Sequence, residues 1–166
     1  MILAVDVHYT GTNADVAGIT FENWQSEHCE QRYFSKVTGV GEYESGKFYK
    51  RELQCILQLI TEHNLKPTTI VVDGYVYLSE QKPGLGKYLY DALQQKVEII
   101  GVAKREFSGV SPNSKILRGQ SEKPLFISTT GDLAQAKENI SQMHGNFRHP
   151  YLLKLVDQLC REQSKE

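Results

Sequence analysis

The chain is 166 residues long, 40% hydrophobic and 23% charged, with a formal net charge of −1, the profile of one ordinary globular domain spanning residues 1–166. A bulk charge so close to zero advertises neither a nucleic-acid nor a membrane surface, although a local basic groove can hide in a neutral total. Three cysteines, Cys29, Cys55 and Cys160, form no C-x-x-C and have no histidine at ligand spacing, which predicts reduced thiols in a cytoplasmic protein, and Asp6 interrupts the apolar opening before a signal core or a membrane span can form.

Strand-forming residues recur at 2–9, about 16–22 and about 30–37, separated by "TGTNAD" and "ENWQSEH", and predict an antiparallel meander. The segment "GKFYKRELQCILQLITEHN" then sets Leu53, Ile56, Leu57 and Ile60 at helical spacing, with Asn64 and Pro67 closing the helix. A strand at 69–73, a helix from about 84 to 95 opened by "PGLG", and a strand at 97–103 follow. That α-β-α-β order implies parallel strands joined by crossovers. "KPLFIS" reads as one more strand or an edge element, and helices at about 132–143 and 151–163 end the chain. Three meandering strands followed by alternating helices and strands is the order of the ribonuclease H-like fold, an α/β mixed sheet with helices on both faces. In that layout the first and fourth strands lie side by side.

With those strands as parallel neighbours, Asp6 of "LAVDVHY" and Asp73 of "IVVDGY" project toward one another near the carboxyl edge of the sheet, where open α/β sheets place ligands. Two carboxylates a few ångströms apart repel unless a cation sits between them or one takes a proton. A hard divalent ion, Mg2+ or Mn2+, suits such oxygen-only ligands. For any single strand-end acid, plain solvation is the more frequent fate; two of them, each framed by apolar residues, weaken that reading. Glu52 lies in the first turns of the long helix, where the helix dipole alone accounts for an acid. Lys104 closes "IIGVAK"; lysines at strand ends are usually solvated, but one can also hold a scissile phosphate. Together Asp6, Glu52, Asp73 and Lys104 are what metal-assisted phosphoryl transfer asks for. His8 and His28 lack ligand spacing, "GLGKYLY" lacks the glycine spacing of a P-loop, and "MHGNFRHPY" reads first as a joint between helices and second as a phosphate-contacting turn.

Five blocks in register resemble the endonuclease V family, nucleases that cut near deaminated purines. "VDVHY" resembles its D-V-x-Y and supplies Asp6. "YESGKFYKREL" resembles P-Y-x-P-G-x-x-x-F-R-E and aligns Tyr43, Gly46, Arg51 and Glu52. "VDGYVYL" with "GLG" resembles D-G-x-G…G-L-A and aligns Asp73, Gly74, Gly84 and Leu85. "IGVAK" supplies Lys104, and "FRHPYLLKLVD" resembles R-x-P…A-D, aligning Arg148, Pro150 and Asp157. The resemblance implies magnesium held by Asp6 and Asp73, a reaction centre completed by Glu52 and Lys104, and substrate contacts from Tyr43, Gly74, Gly84 and Arg148. Tyr43 would belong to a loop wedging beside an extruded base, and the partner would be inosine-containing DNA or RNA bound by a monomer.

The departures are specific. Ser79, Glu80 and Gln81 stand where the family has H-P-R, Glu42 and Ser45 replace the two prolines of the wedge, Val76 replaces the second glycine of D-G-x-G, and the chain opens on the first strand, without the family's preceding helical segment. These changes spare the acids and alter substrate-facing positions, so a catalytically impaired relative that binds nucleic acid or a protein partner is the rival expectation.

Overall fold

In the computed structural model, which describes residues 1–40 and 49–165, apolar alternation lays down β1 (Ile2–Thr10), β2 (Asn13–Phe21) and β3 (Gln31–Val37) as the expected meander. Helix α1 (Tyr49–Glu62) ends where Asn64 turns left-handed at φ 51°. There follow β4 (Thr69–Asp73), a small ribbon of β5 (Tyr77–Ser79) with β6 (Lys82–Pro83), α2 (Leu85–Ala92) and β7 (Glu98–Ala103). A short 3-10 turn leads into β8 (Lys115–Ile116), and β9 (Leu125–Thr129), α3 (Leu133–Gln142) and α4 (Tyr151–Gln163) complete the order.

The large sheet runs β3-β2-β1-β4-β7-β9-β8. β1 pairs with β4 and β4 with β7 in parallel, whereas β9 runs antiparallel to both β7 and β8. "KPLFIS" is therefore an interior strand, and the two-residue β8 forms that edge. No helix separates β7 from β9, so the chain can return antiparallel without the crossover that a parallel partner needs. Helix α2 stops at Ala92, earlier than its apolar pattern suggests, because Gln94 and Gln95 adopt φ of 61° and 58° and end it in a left-handed turn.

Two apolar layers enclose the sheet. Leu3, Val5, Ile70, Val72 and Ile99 pack with Ile56 and Leu59 of α1 and Leu89 of α2, while Ala4, Val71, Ile100 and Ile127 pack with Ile140 of α3 and Leu152, Val156 and Leu159 of α4. The period-2 alternation along β1 and β4 decides which layer each side chain joins. Among the described residues no helix is long and apolar enough to cross a membrane.

Candidate active site at the carboxyl edge

The parallel register of β1 and β4 runs Ile2 with Thr69, Leu3 with Ile70 and Ala4 with Val71. Two residues further along each strand stand Asp6 and Asp73, on the same face as Ala4 and Val71 by the pleat. That is the face covered by α4, and a cavity there is lined by Asp6, Asp73, Lys104, His149, Lys154 and Asp157. The expected meeting of Asp6, Asp73 and Lys104 at one strand-end cavity is what the fold produces. Asp157 joins them from α4: one oxygen each of Asp6 and Asp157 and the Sγ of Cys160 lie within 4.8 Å of one another.

Glu52 reaches Asp73 from the opposite face. A second cavity of about 150 Å³ is lined by Tyr49, Glu52, Asp73, Gly74, Gly84 and Tyr88, among others. Asp73, at the strand tip, borders both cavities. The four carboxylates thus surround one strand end from two layers.

Burial pushes the Asp6 carboxyl up to about 8, helped by its hydrogen bond with Asp157 and the charge of Asp73, against a bond from the Val7 N–H at 2.9 Å. Burial and then Asp73 push Glu52 up to about 7. Burial raises Asp73 as well; Lys104 opposes that shift and Asp157 adds to it. Asp157 moves the other way: burial would raise it, but its hydrogen bonds with Asp6 and Arg161, the latter at 3.1 Å, hold it below the usual carboxylate range. Asp6 and Asp157 therefore share one proton and one negative charge. A cluster of acids that retains protons near neutrality is electrostatically fitted to a divalent cation, which removes the repulsion that the protons now relieve. The carboxylate oxygens suit a hard divalent ion, whereas burial pushes the Cys160 thiol up to about 12, so it stays protonated and is no ligand for one.

A pH dependence follows. Unfolded, these acids lose their protons near 3.8 and 4.5, whereas folded Asp6 and Glu52 keep theirs to about 8 and about 7. The folded state binds more protons between those limits, so the stability present in acid is lost as pH rises from about 4 to about 8; Asp157, His149 and Asp91, whose pKa values are lowered, oppose the trend in part. Urea unfolding in EDTA is expected to give a lower midpoint at pH 8 than at pH 5, with Mg2+ restoring more at pH 8. A midpoint that rises with pH in EDTA contradicts this.

The remaining candidates divide. Tyr43 lies outside the described residues, as do Glu42, Ser45 and Gly46. Gly74 has φ of 135°, a backbone state that L side chains rarely adopt, and its N–H donates to the Val102 carbonyl at 3.0 Å. Gly84 precedes α2 where a Cβ would stand 2.6 Å from the Tyr75 carbonyl oxygen. Both glycines border the Glu52 cavity, and both are also demanded by the backbone. Arg148 donates to the carbonyls of Lys104 at 2.6 Å and Pro124 at 2.8 Å, tying the end of β7 to the start of β9. Val76 points its bulk into the core, fully buried against Gly86, where a Cβ would meet its Cγ2 at 2.7 Å; the substitution does not crowd the cavity. Ser79, Glu80 and Gln81 build the β5–β6 ribbon and its turn.

Sequence reasoning aligned Asp157 without giving it a role and gave Cys160 none. The signal was present: Leu152, Val156, Leu159 and Cys160 form the buried stripe of α4, and Asp157 borders it, an unusual place for an acid.

The sheet order, with acids gathered at the carboxyl edge and a lysine beside them, defines a ribonuclease H-like protein. The chain belongs to the endonuclease V family, whose family model, described as Endonuclease V, matches residues 1–158. Solved structures share its fold. Endonuclease V from Streptomyces avermitilis superposes with a TM-score of 0.76 at 24% identity, covering 99% of this chain and 81% of that one. Ciona intestinalis endonuclease V, in complex with a 24mer DNA containing an inosine followed by a ribo-adenosine, gives 0.77 at 18%, covering 99% and 85%. The catalytic domain of human endonuclease V gives 0.76 at 20%, covering 99% and 82%. No curated protein matches the chain.

Proposed function

We propose that the protein is a divalent-metal-dependent phosphodiester hydrolase that cuts DNA or RNA at or near a deaminated purine, inosine being the first candidate. The observation that carries this reading is the convergence of Asp6, Glu52, Asp73 and Asp157 on one strand end with Lys104 beside them. Family membership and the inosine-containing DNA bound by the Ciona protein support the substrate class.

In this reading Asp6, Asp73 and Asp157 hold Mg2+ or Mn2+, which supplies charge neutralisation and a more acidic bound water. Everything else is done by the chain itself. Asp73, bordering both cavities, ties the ion position to Glu52. The Glu52 carboxyl, which burial and then Asp73 push up to about 7 in the metal-free protein, would accept a proton from an attacking water. Lys104, which follows β7 and lines the same cavity, would offer its ammonium to the phosphate. Gly74 and Gly84 let the strand approach without a side chain in the way.

The test uses labelled single-stranded DNA and RNA with one inosine, and matched strands without it, in Mg2+, Mn2+ or EDTA. Metal-dependent cleavage at one position near the inosine, absent in EDTA, is expected. Absence of cleavage of every strand in both metals refutes the hydrolase reading. Glu80, exposed on the β5–β6 turn between the two positions where the family pattern carries a histidine and an arginine, favours the second reading of a relative that binds without cutting. Tight strand binding without cleavage would select it.

A further inference from the structure

Arg118 is 4% exposed, and its guanidinium has no carboxylate partner among the described residues. It donates instead to main-chain carbonyls of the joint between α3 and α4: Met143 at 2.5 Å, Phe147 at 2.6 Å, Gly145 at 2.9 Å and, more weakly, Arg148 at 3.4 Å. Burial lowers its pKa, the mark of a charge held away from water at a cost. The next residue, Gly119, has φ of 59°, and a Cβ there would stand 2.1 Å from the Asn146 carbonyl oxygen. The loop is thus clamped from one side by a buried cation and seated on a bare backbone from the other.

What this clamp presents is Phe147, with 73% of its surface in water. A large aromatic so exposed contributes little to a core; on a clamped loop it is an aromatic surface of fixed position. Its neighbours place it at the rim of the acid site. Arg148 is hydrogen-bonded to the Lys104 carbonyl, and His149 lines the acid cavity with Lys104 and Lys154. Two residues of chain span at most about 7 Å, so the backbone of Phe147 stands beside that cavity, and Phe147 itself lines a neighbouring cavity with Gly119, Ser121 and Arg148. Lys104, Lys154 and Arg148 give the rim the positive charge that a phosphate backbone seeks.

We propose that Phe147 is a stacking platform for an unpaired base of the nucleic-acid strand, a few nucleotides from the phosphate held at the acid site, with Arg118 as the positioning residue that fixes it. This rests on the hydrolase reading of the acid site. Base-on-aromatic stacking suits a single strand because every base offers a π face, and it fixes direction along the strand without reading sequence.

The test is fluorescence anisotropy with a labelled inosine-containing single strand in Ca2+, its integrity checked on a gel, with 2-aminopurine walked one position at a time along either side. Wild type is expected to quench the probe at one position. Phe147→Ala is expected to lose that quenching and to bind about 5- to 100-fold more weakly, whereas Phe147→Trp keeps both. Shortening the strand past the quenched position should weaken wild type and leave the alanine variant unaffected. Exposure of the ring makes a folding defect in Phe147→Ala negligible, and its melting temperature checks this. Equal binding and quenching by wild type and Phe147→Ala, while both cleave, overturns the platform alone. An effect of Phe147→Ala on self-association without one on strand binding overturns it too, and a wild type that neither binds nor cleaves any strand removes the platform together with the hydrolase reading.

Discussion

Replacing Asp6 by asparagine is expected to reduce cleavage by more than a hundredfold while making the metal-free protein more stable at pH 8. Outer-shell partners of metal ligands are already worth about 10- to 100-fold in affinity or activity, so a ligand itself is worth more. The stability gain follows from the same carboxylate. Asp6 resists ionisation up to about 8 because it is buried beside Asp157 and near Asp73. An amide at this position donates to Asp157 without holding a proton and still accepts from the Val7 N–H, which lies 2.9 Å from Asp6 Oδ1. Cleavage assays and urea unfolding in EDTA at pH 8 measure both effects. Lost activity with lowered stability would mean that Asp6 serves the fold rather than the site.

Gly101→Ala should damage the fold and the site together. Gly101 sits mid-sheet on β7, opposite Val72 on one side and Ser128 on the other. A Cβ there would stand 2.4 Å from the Gly74 carbonyl oxygen and 2.8 Å from Ser128 Oγ. Main chain cannot swing aside as a side chain can, so overpacking costs about 1–3 kcal/mol. The bond from the Val76 N–H to Ser128 Oγ, 2.9 Å long, adds about 1 kcal/mol when it breaks. The displaced segment begins one residue after Asp73, and a shift of about 1 Å there costs on the order of a hundredfold in rate. Thermal unfolding and kcat/KM report the two losses; a variant with wild-type values for both would show that the contact relaxes freely.

The meander, the two long helices, the strands that carry Asp6 and Asp73 and the strand that leads into Lys104 were legible because each rests on an apolar period or a punctuating turn. The pairing of β1 with β4 was legible as topology, since the chain order admits few arrangements. The antiparallel return of β9 was not, because the polar stretch between β7 and β9 carries no period that sets strand direction. Val76 counts in the sequence among the altered substrate-facing positions, but its packing on Gly86 places it in the core. That contact depends on a fold-level approach of two segments and leaves no local mark. Nothing in the local sequence marks Arg118 for burial, and only the looped-back carbonyls of residues 143–148 explain it. Asp157 was in plain view at the border of an apolar stripe, but its partnership with Asp6 is a meeting of α4 with β1 that sequence spacing does not encode.

Anomalous diffraction from a manganese-soaked crystal tests the central claim most directly. The account predicts a peak at the strand end, with carboxylate oxygens of both Asp6 and Asp73 about 2.0–2.5 Å away. Manganese found only at scattered surface acids, with Asp6 and Asp157 still hydrogen-bonded to each other, would contradict it.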